Sequence, residues 1–323
     1  MDVAARAGVS RTTASAALSG SGRISDDTRR HVLAVADEMG YEINRAAANL
    51  RNQRAGAIGV YVPPDSTGYE YYLEFAFGVV DEAMQRETPV VLIPNGTTEA
   101  SLARDHVDGY IVIDALDDDP QLRRILDTGK PVVAAEPLPD GLAPAAGTVG
   151  FDHRRGMTDL LDHLADRGAR RIAVISPPLD TSWARQVNAA YADWCAEHGR
   201  RPTVVTAPFL TDVSGIEQPV ENLFGGPEEP DAVVVAQDGI AAAVSAAITA
   251  RAHTIGGDIL LAACVDGLAV RSAVPPITAI DLTPRAHGQA CATLLLALLS
   301  GAAVAGTEIT LIPRLQVRAS TRS

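Results

Sequence analysis

The chain has 323 residues, a net charge of -13, 47% apolar residues and only 4% aromatic ones. At roughly 100 to 200 residues per domain the length implies two or three domains, and the Ala- and Val-rich apolar content excludes a disordered or fibrous chain. Asp2 and Arg6 interrupt any apolar leader, and no stretch approaches the roughly 20 apolar residues that span a bilayer, so a cytoplasmic protein is expected.

The charge is unevenly spread. Residues 1–54 hold eight arginines against six acids, a net +2, which leaves -15 on the other 269 residues. A mildly basic head on an acidic body confines nucleic-acid contact to the head, because the body's field repels phosphate. In that head DVAARA (2–7) predicts a short helix closed by Gly8. Ser10 stands as N-cap ahead of RTTASAAL, whose Ala14, Ala17 and Leu18 share one face. After the SGSG break, Ser25 caps a third helix with Asp26 and Asp27 in its first turn, where acids favour the helix dipole. Its buried stripe is Val32, Val35, Ala36 and Met39, and Gly40 ends it. Helix, tight glycine turn and second helix make a helix-turn-helix signal. The following NRAAANLRNQR (44–54) is alanine-rich but too short to stay helical alone, so it reads as a linker that folds on contact.

From Ala55 onward, apolar runs alternate with amphipathic stretches: AIGVYV, VVLIP, GYIVID, PVVAA, RIAVIS, TVVTA, AVVVA, ILLAACV and ITAID. Continuous apolar runs predict parallel strands buried on both faces between helices. Nine strands exceed one ordinary sheet, so two lobes are expected, with a change near Thr148 to Asp152 and ligand held in the cleft at the strands' carboxyl ends. Cys195, Cys264 and Cys291 are odd in number, far apart and set among apolar residues, which predicts reduced, buried thiols and neither disulfides nor a metal site.

The head string DVAARAGVSRTTASAALSGSGRISDDTRRHVLAVADEMGYEINRAAANLR resembles the DNA-binding unit of the LacI/GalR (lactose repressor) family. AGAIGVYVP, VDGYIVI, KPVVAAE, VGFDHRRG, RRIAVIS, PDAVVVAQD, PPITAIDLTP and VRAST then resemble that family's core segments in order. The resemblance implies an all-α helix-turn-helix head plus an α/β core with a two-lobed, periplasmic-binding-protein-like fold and two parallel sheets, the chain crossing between lobes three times. It places the DNA-binding domain at 1–43 and a hinge helix at 44–54. The core N-lobe is expected at 55–148 and 282–308, and the C-lobe at 149–281 and 309–323. The implied protein is a homodimeric regulator, a repressor, associated with the nucleoid; it binds a pseudo-palindromic DNA operator under control of a small effector, a sugar or related metabolite.

Carried onto this chain, the resemblance makes Arg11–Leu18 the recognition helix, with Arg11, Thr12 and Ala16 facing bases. Arginine at the start of a helix in the major groove can contact guanine bidentately, worth about 1–3 kcal/mol of discrimination. Relatives usually carry a polar or basic residue where this chain has Ala16. Ser10, Thr13, Ser15, Ser19, Ser21, Arg23 and Asn44 take phosphate-contacting or capping positions, which orient without reading sequence. Ala47 and Leu50 lie on the hinge helix, Leu50 as the wedge between minor-groove base steps. Relatives have several residues before the position of Asp2, which leaves open a weakly capped first helix or a start upstream of Met1.

For the effector cleft the matching positions are Tyr71, Tyr72, Asp152, Trp183, Arg185, Val187, Gln237, Asp238 and Asp266. Val187 stands where relatives place a ligand-contacting arginine, which argues against a strongly anionic ligand. An aromatic plane flanked by carboxylates and amides suits a sugar. The segment NGTTEASLARDHVDG is shorter than in relatives, which predicts a truncated second helix in the N-lobe. Two other classes compete. An enzyme is disfavoured because no GxGxxG follows a strand and no GxxxxGK[ST], GxSxG or HExxH occurs; no catalytic residue, cofactor or metal is expected. The Asn-Gly-Thr at Asn95 is a chance sequon. A transport solute-binding protein would fit the core alone, but the fused basic head speaks against it.

Overall fold

The computed structural model describes residues 3–19, 24–41, 55–63, 70–94, 96–97, 101, 106–208 and 213–322. It divides into two compact units, Met1–Gly56 and Ala57–Ser323.

Among its described residues the first unit holds three helices, α1 (Val3–Arg6), α2 (Arg11–Ser19) and α3 (Asp26–Glu38). Gly8, at φ +68°, makes the turn after α1. The Ser10 hydroxyl then accepts from the Thr13 N–H at 3.0 Å, satisfying a donor that the first turn of α2 cannot use internally. Ser25 does the same for Thr28 at the start of α3. The three helices close on a small core of Val3, Ala4, Ala14, Ala17, Val32 and Val35. Alanines at the α2 contact let the helices approach closely.

The second unit holds two six-stranded sheets. In the first lobe β1 (Ile58–Tyr61) is followed by α4 (Glu70–Gln85), β2 (Val90–Ile93), β3 (Tyr110–Ile113), α5 (Pro120–Asp127), β4 (Val132–Ala135) and β5 (Gly147–Phe151). The second lobe runs through α6 (His153–Asp166), β6 (Ile172–Ser176), α7 (Ser182–Glu197), β7 (Thr203–Thr206) and α8 (Glu217–Phe224). It continues with β8 (Ala232–Val235), α9 (Ala241–Thr249), β9 (Leu260–Ala263), α10 (Leu268–Ser272) and β10 (Thr278–Asp281). The chain then returns to the first lobe with α11 (Pro284–Ser300) and β11 (Thr307–Leu311), and ends in the second with β12 (Arg314–Gln316). Strand order is β11-β5-β4-β3-β1-β2 and β12-β10-β9-β8-β6-β7, with every pair parallel except β10 with β12. Three lobe crossings result, near 152, 283 and 312.

Successive strand residues point to opposite faces. Ile58, Val60, Ile111 and Ile113 meet α4 and α11, whereas Tyr61, Tyr110 and Val112 meet α5. In the second sheet Val174 and Val234 face α6 and α7, while Ile175 and Val235 face α8 and α9. Two glycines fix the α4–α11 contact: a Cβ on Gly78 would lie 2.0 Å from the Arg285 carbonyl oxygen, and one on Gly288 equally close to that of Phe75. Only a bare backbone fits there.

Three expectations are corrected. Gly147–Phe151 pairs in register with Thr307–Leu311, so residues 149–151 and 309–311 belong to the first-lobe sheet and the lobe changes fall about three residues later than expected. Strands β2 and β7 are not covered on both faces, since each ends its sheet; Leu92 is 62% exposed. Strands β5, β11 and β12 were not among the nine predicted: β11 and β12 end their sheets, and β11 reads TEITL with its middle three residues exposed, while β5, inside the first sheet, reads GTVGF, whose glycines break the apolar run. Among the described residues no helix is long and apolar enough to cross a membrane. All three cysteines are buried and free.

Candidate effector cleft and DNA-reading helix

On α2, Arg11 and Thr12 are exposed, Thr13, Ser15 and Ala16 are half-buried, and Ala14 and Ala17 face the core. The helix therefore presents Arg11, Thr12, Ser15 and Ala16 away from its packing face, as a recognition helix must. Ser10 is committed to the cap, with its hydroxyl also 2.8 Å from that of Thr13. Ser21, Arg23, Asn44, Ala47 and Leu50, like the side chain of Ser19, lie outside the described residues.

Within the second unit, the carboxyl ends of β3, β4, β8 and β9 and the starts of α4, α6 and α7 surround a pocket of about 520 Å³, part of it open to solvent. Asp114 and Glu136 follow directly on β3 and β4, at φ +47° and +149°. These conformations cost non-glycine residues roughly 1–3 kcal/mol each and turn the two carboxylates off their strands. The Tyr72 hydroxyl donates to Asp114 Oδ2 at 2.6 Å. Burial, reinforced by the Glu136 charge, pushes the Asp114 carboxyl up to about 7, against the pull of the Tyr72 bond. Glu136 Oε1 accepts from the Phe151 N–H at 3.2 Å and meets His153 Nε2 at 2.9 Å. Asp238 Oδ2 lies 3.5 Å from the Tyr71 N–H of the other lobe, and burial raises its pKa. Behind the pocket, the buried His287 binds the Val149 carbonyl through Nε2 at 2.8 Å. That nitrogen must carry the proton, so Nδ1 accepts from the Tyr71 hydroxyl at 3.1 Å. Burial lowers the His287 pKa, in keeping with a neutral ring. Trp183, Val187 and Leu282 supply the apolar wall.

Contacts on both sides of the pocket join the lobes. On one side Leu116 pairs with Thr181, and the Asp117 N–H donates to the Asp180 carbonyl at 3.0 Å. Arg185 Nη1 reaches both oxygens of Asp117 (3.0 and 2.8 Å) and the Leu179 carbonyl. On the other, Glu70 accepts from Arg271 at 2.8 Å and from the Leu268 N–H. The core is thus closed over its pocket.

Five of the nine expected cleft residues line it: Tyr71, Tyr72, Trp183, Val187 and Asp238. Four do not. Asp152 caps α6, accepting from the Arg155 N–H at 2.9 Å. Arg185 is consumed by the Asp117 latch. Gln237 is 1% exposed and turns its amide to the Pro208 carbonyl at 3.0 Å. Asp266 pairs with Arg318 at 2.7 Å and Arg271 at 3.5 Å, with its side chain only 6% exposed. The sequence reading missed Asp114, Glu136 and His153. The first two end the apolar runs GYIVID and VVAAE, so the rule that ligands sit at strand carboxyl ends could have found them. No group of three or more metal-ligating side chains occurs among the described residues.

A helix-turn-helix unit joined to a two-lobed core with a closed cleft defines a DNA-binding transcription regulator. Comparison with known proteins assigns it further. Residues 1–44 match the model of bacterial regulatory proteins of the lacI family, and residues 161–321 that of the periplasmic binding protein-like domain. The HTH-type transcriptional regulator CelR of Thermobifida fusca is 28% identical, over 98% of this chain and 96% of its own. Among solved structures, a CelR–cellobiose complex superposes with a TM-score of 0.76 at 26% identity, over 99% of this chain and 98% of that one. A lac repressor dimer bound to operator and the anti-inducer ONPF superposes at 0.77, also at 26% identity, over 100% and 98%. The chain belongs to the LacI family of transcriptional regulators. That family consists of regulators rather than enzymes, and a transport role is not favoured.

Proposed function

We propose that this protein is a homodimeric, cytoplasmic repressor that binds a pseudo-palindromic DNA operator and is controlled by a small effector, a sugar or related metabolite, held in the cleft between Trp183 and the acids of the strand ends. The observation that carries this reading is the pairing, in one chain, of a helix exposing Arg11 and Thr12 with a core closed over a pocket. Base reading is assigned to Arg11, Thr12 and Ala16, phosphate contact to Thr13, Ser15, Ser19, Ser21, Arg23 and Asn44, and hinge contacts to Ala47 and Leu50. Trp183, Tyr71 and Tyr72 offer ring faces for a sugar's CH groups, and Asp114, Glu136 and Asp238 accept from its hydroxyls. The cellobiose of the CelR complex supports that ligand class. A dimer is supported by an uncovered apolar face on α4, where Leu73, Phe77 and Met84 are 55%, 46% and 67% exposed.

Selection from a random duplex library at moderate salt tests the reading. A two-fold-symmetric site is expected to be enriched, and members of a saccharide panel are expected to change its recovery. Enrichment of no symmetric site would overturn it.

A further inference from the structure

The cleft is rich in acceptors and short of positive charge. Among the described residues, three carboxylates line it, on Asp114, Glu136 and Asp238, against one imidazole, on His153, and no arginine or lysine does. Arg185, the cation closest in sequence to the wall residues, is held outside by Asp117. Glu136 is 7% exposed, and its Oε2 has no hydrogen-bond partner among the described residues, while Oε1 takes both the Phe151 N–H and His153. A buried carboxylate oxygen left without a donor is costly, and the cost falls on the unliganded protein. The raised pKa of Asp114, beside the Glu136 charge, reflects the same deficit.

A neutral hydroxyl only partly meets this deficit. It donates one hydrogen and brings no charge, so the three carboxylates stay uncompensated. An ammonium brings three donors, no acceptor and the missing charge, and aromatic faces such as those of Trp183 and Tyr71 attract it further. From this donor and charge imbalance, we propose that the effector is a polyol-like molecule carrying a protonated nitrogen, an amino sugar or similar amine, whose cation sits between Asp114 and Glu136. The proposal rests on the reading of the cleft as the effector site.

Calorimetric titration of the full chain with matched hydroxyl, amino and N-acetylamino forms of mono- and disaccharides tests it. The amino form of at least one scaffold is expected to bind about tenfold or more tighter than its hydroxyl counterpart, a gain of about 1.4 kcal/mol. The N-acetyl form, which keeps the nitrogen but loses the charge and gains bulk, is expected to lose that gain, with the hydroxyl form as the neutral control of like size. In Glu136→Gln and Asp114→Asn the preference is expected to shrink, and the wild-type comparison stands even if a variant folds poorly. Equal or tighter binding of hydroxyl forms, with that binding abolished by Trp183→Ala, would overturn the cation while leaving the cleft reading intact. Binding by saccharides that Trp183→Ala and Asp238→Ala both leave unchanged would instead remove the cleft reading, and the proposal with it. Failure of every amino form to bind at millimolar concentration also counts against the cation.

Discussion

Asp114 and Asp266 each follow a parallel strand, yet their surroundings give them opposite tasks. Asp266 lies under Arg318 and Arg271, a neutralised pair next to the last lobe crossing. Removing one partner of a buried pair leaves the other charge uncompensated, at about 3 kcal/mol or more. Asp266→Ala should therefore lower the midpoint of thermal unfolding by several degrees while leaving effector affinity unchanged in titration; lost affinity in a fully folded variant would return Asp266 to the cleft. Among the described residues no arginine or lysine pairs with Asp114, and burial raises its carboxyl from the ordinary 3.8 to about 7. The folded state then binds more protons than the unfolded one between those values, so this contribution to stability is complete below about pH 4 and is lost as pH rises through about 7. Asp114→Asn should flatten that slope, with melting points scanned from pH 4 to 8 as the measure. Asp266 was named from the sequence and Asp114 was missed, although it too ends an apolar strand run; the partners of neither were legible. Arg318 lies 52 positions from Asp266 in sequence, a pairing only the fold creates.

At the scale of elements, period and caps carried most of the information. The three head helices and nine core strands follow from hydrophobic spacing and from Ser10, Ser25 and Gly8, because burial and capping are local demands on the chain. The edge strands β11 and β12 escaped, since a half-covered strand needs no apolar run, whereas the edge strands β2 and β7 keep one and were found; β5 escaped because glycines interrupt it. Ser10→Ala removes the cap of α2 and should cost about 1 kcal/mol. Hydrogen exchange over residues 3–19 should speed up, and operator affinity should fall with it; unchanged exchange would mean that the packing of Ala14 and Ala17 alone fixes the helix. The Asp117–Arg185 latch between β3 and α7 is a different kind of contact. Its partners are 45% and 39% exposed, so even a two-pronged pair is worth no more than about 1 kcal/mol. Arg185→Ala should weaken effector binding only a few fold, read by calorimetry, and a hundredfold loss would show that Arg185 touches ligand.

For the whole molecule, control of DNA by a cleft requires only that ligand favour one lobe arrangement over another. The latches at Asp117 and Glu70 are weak enough individually for a ligand to decide between closed and open states. Charge assigns the rest: residues 55–323 carry -15 within the chain's net -13, so DNA affinity depends on a head with a net charge of only +2. One such head neutralises few phosphates, and two acting on adjoining half-sites bind far more tightly than one. In the proposed dimer, pairing of the heads is a condition of operator binding, and the exposed apolar face of α4 is the surface whose substitution tests it. Phe77 is 46% exposed, with the Arg285 guanidinium 5.9 Å from its ring centre. In a two-fold interface each substitution counts twice. Phe77→Asp buries two unpaired carboxylates at the contact and should convert the dimer to monomer in sedimentation, with operator affinity falling by orders of magnitude and effector binding retained. A Phe77→Asp protein that stays dimeric with full operator affinity would place the interface elsewhere.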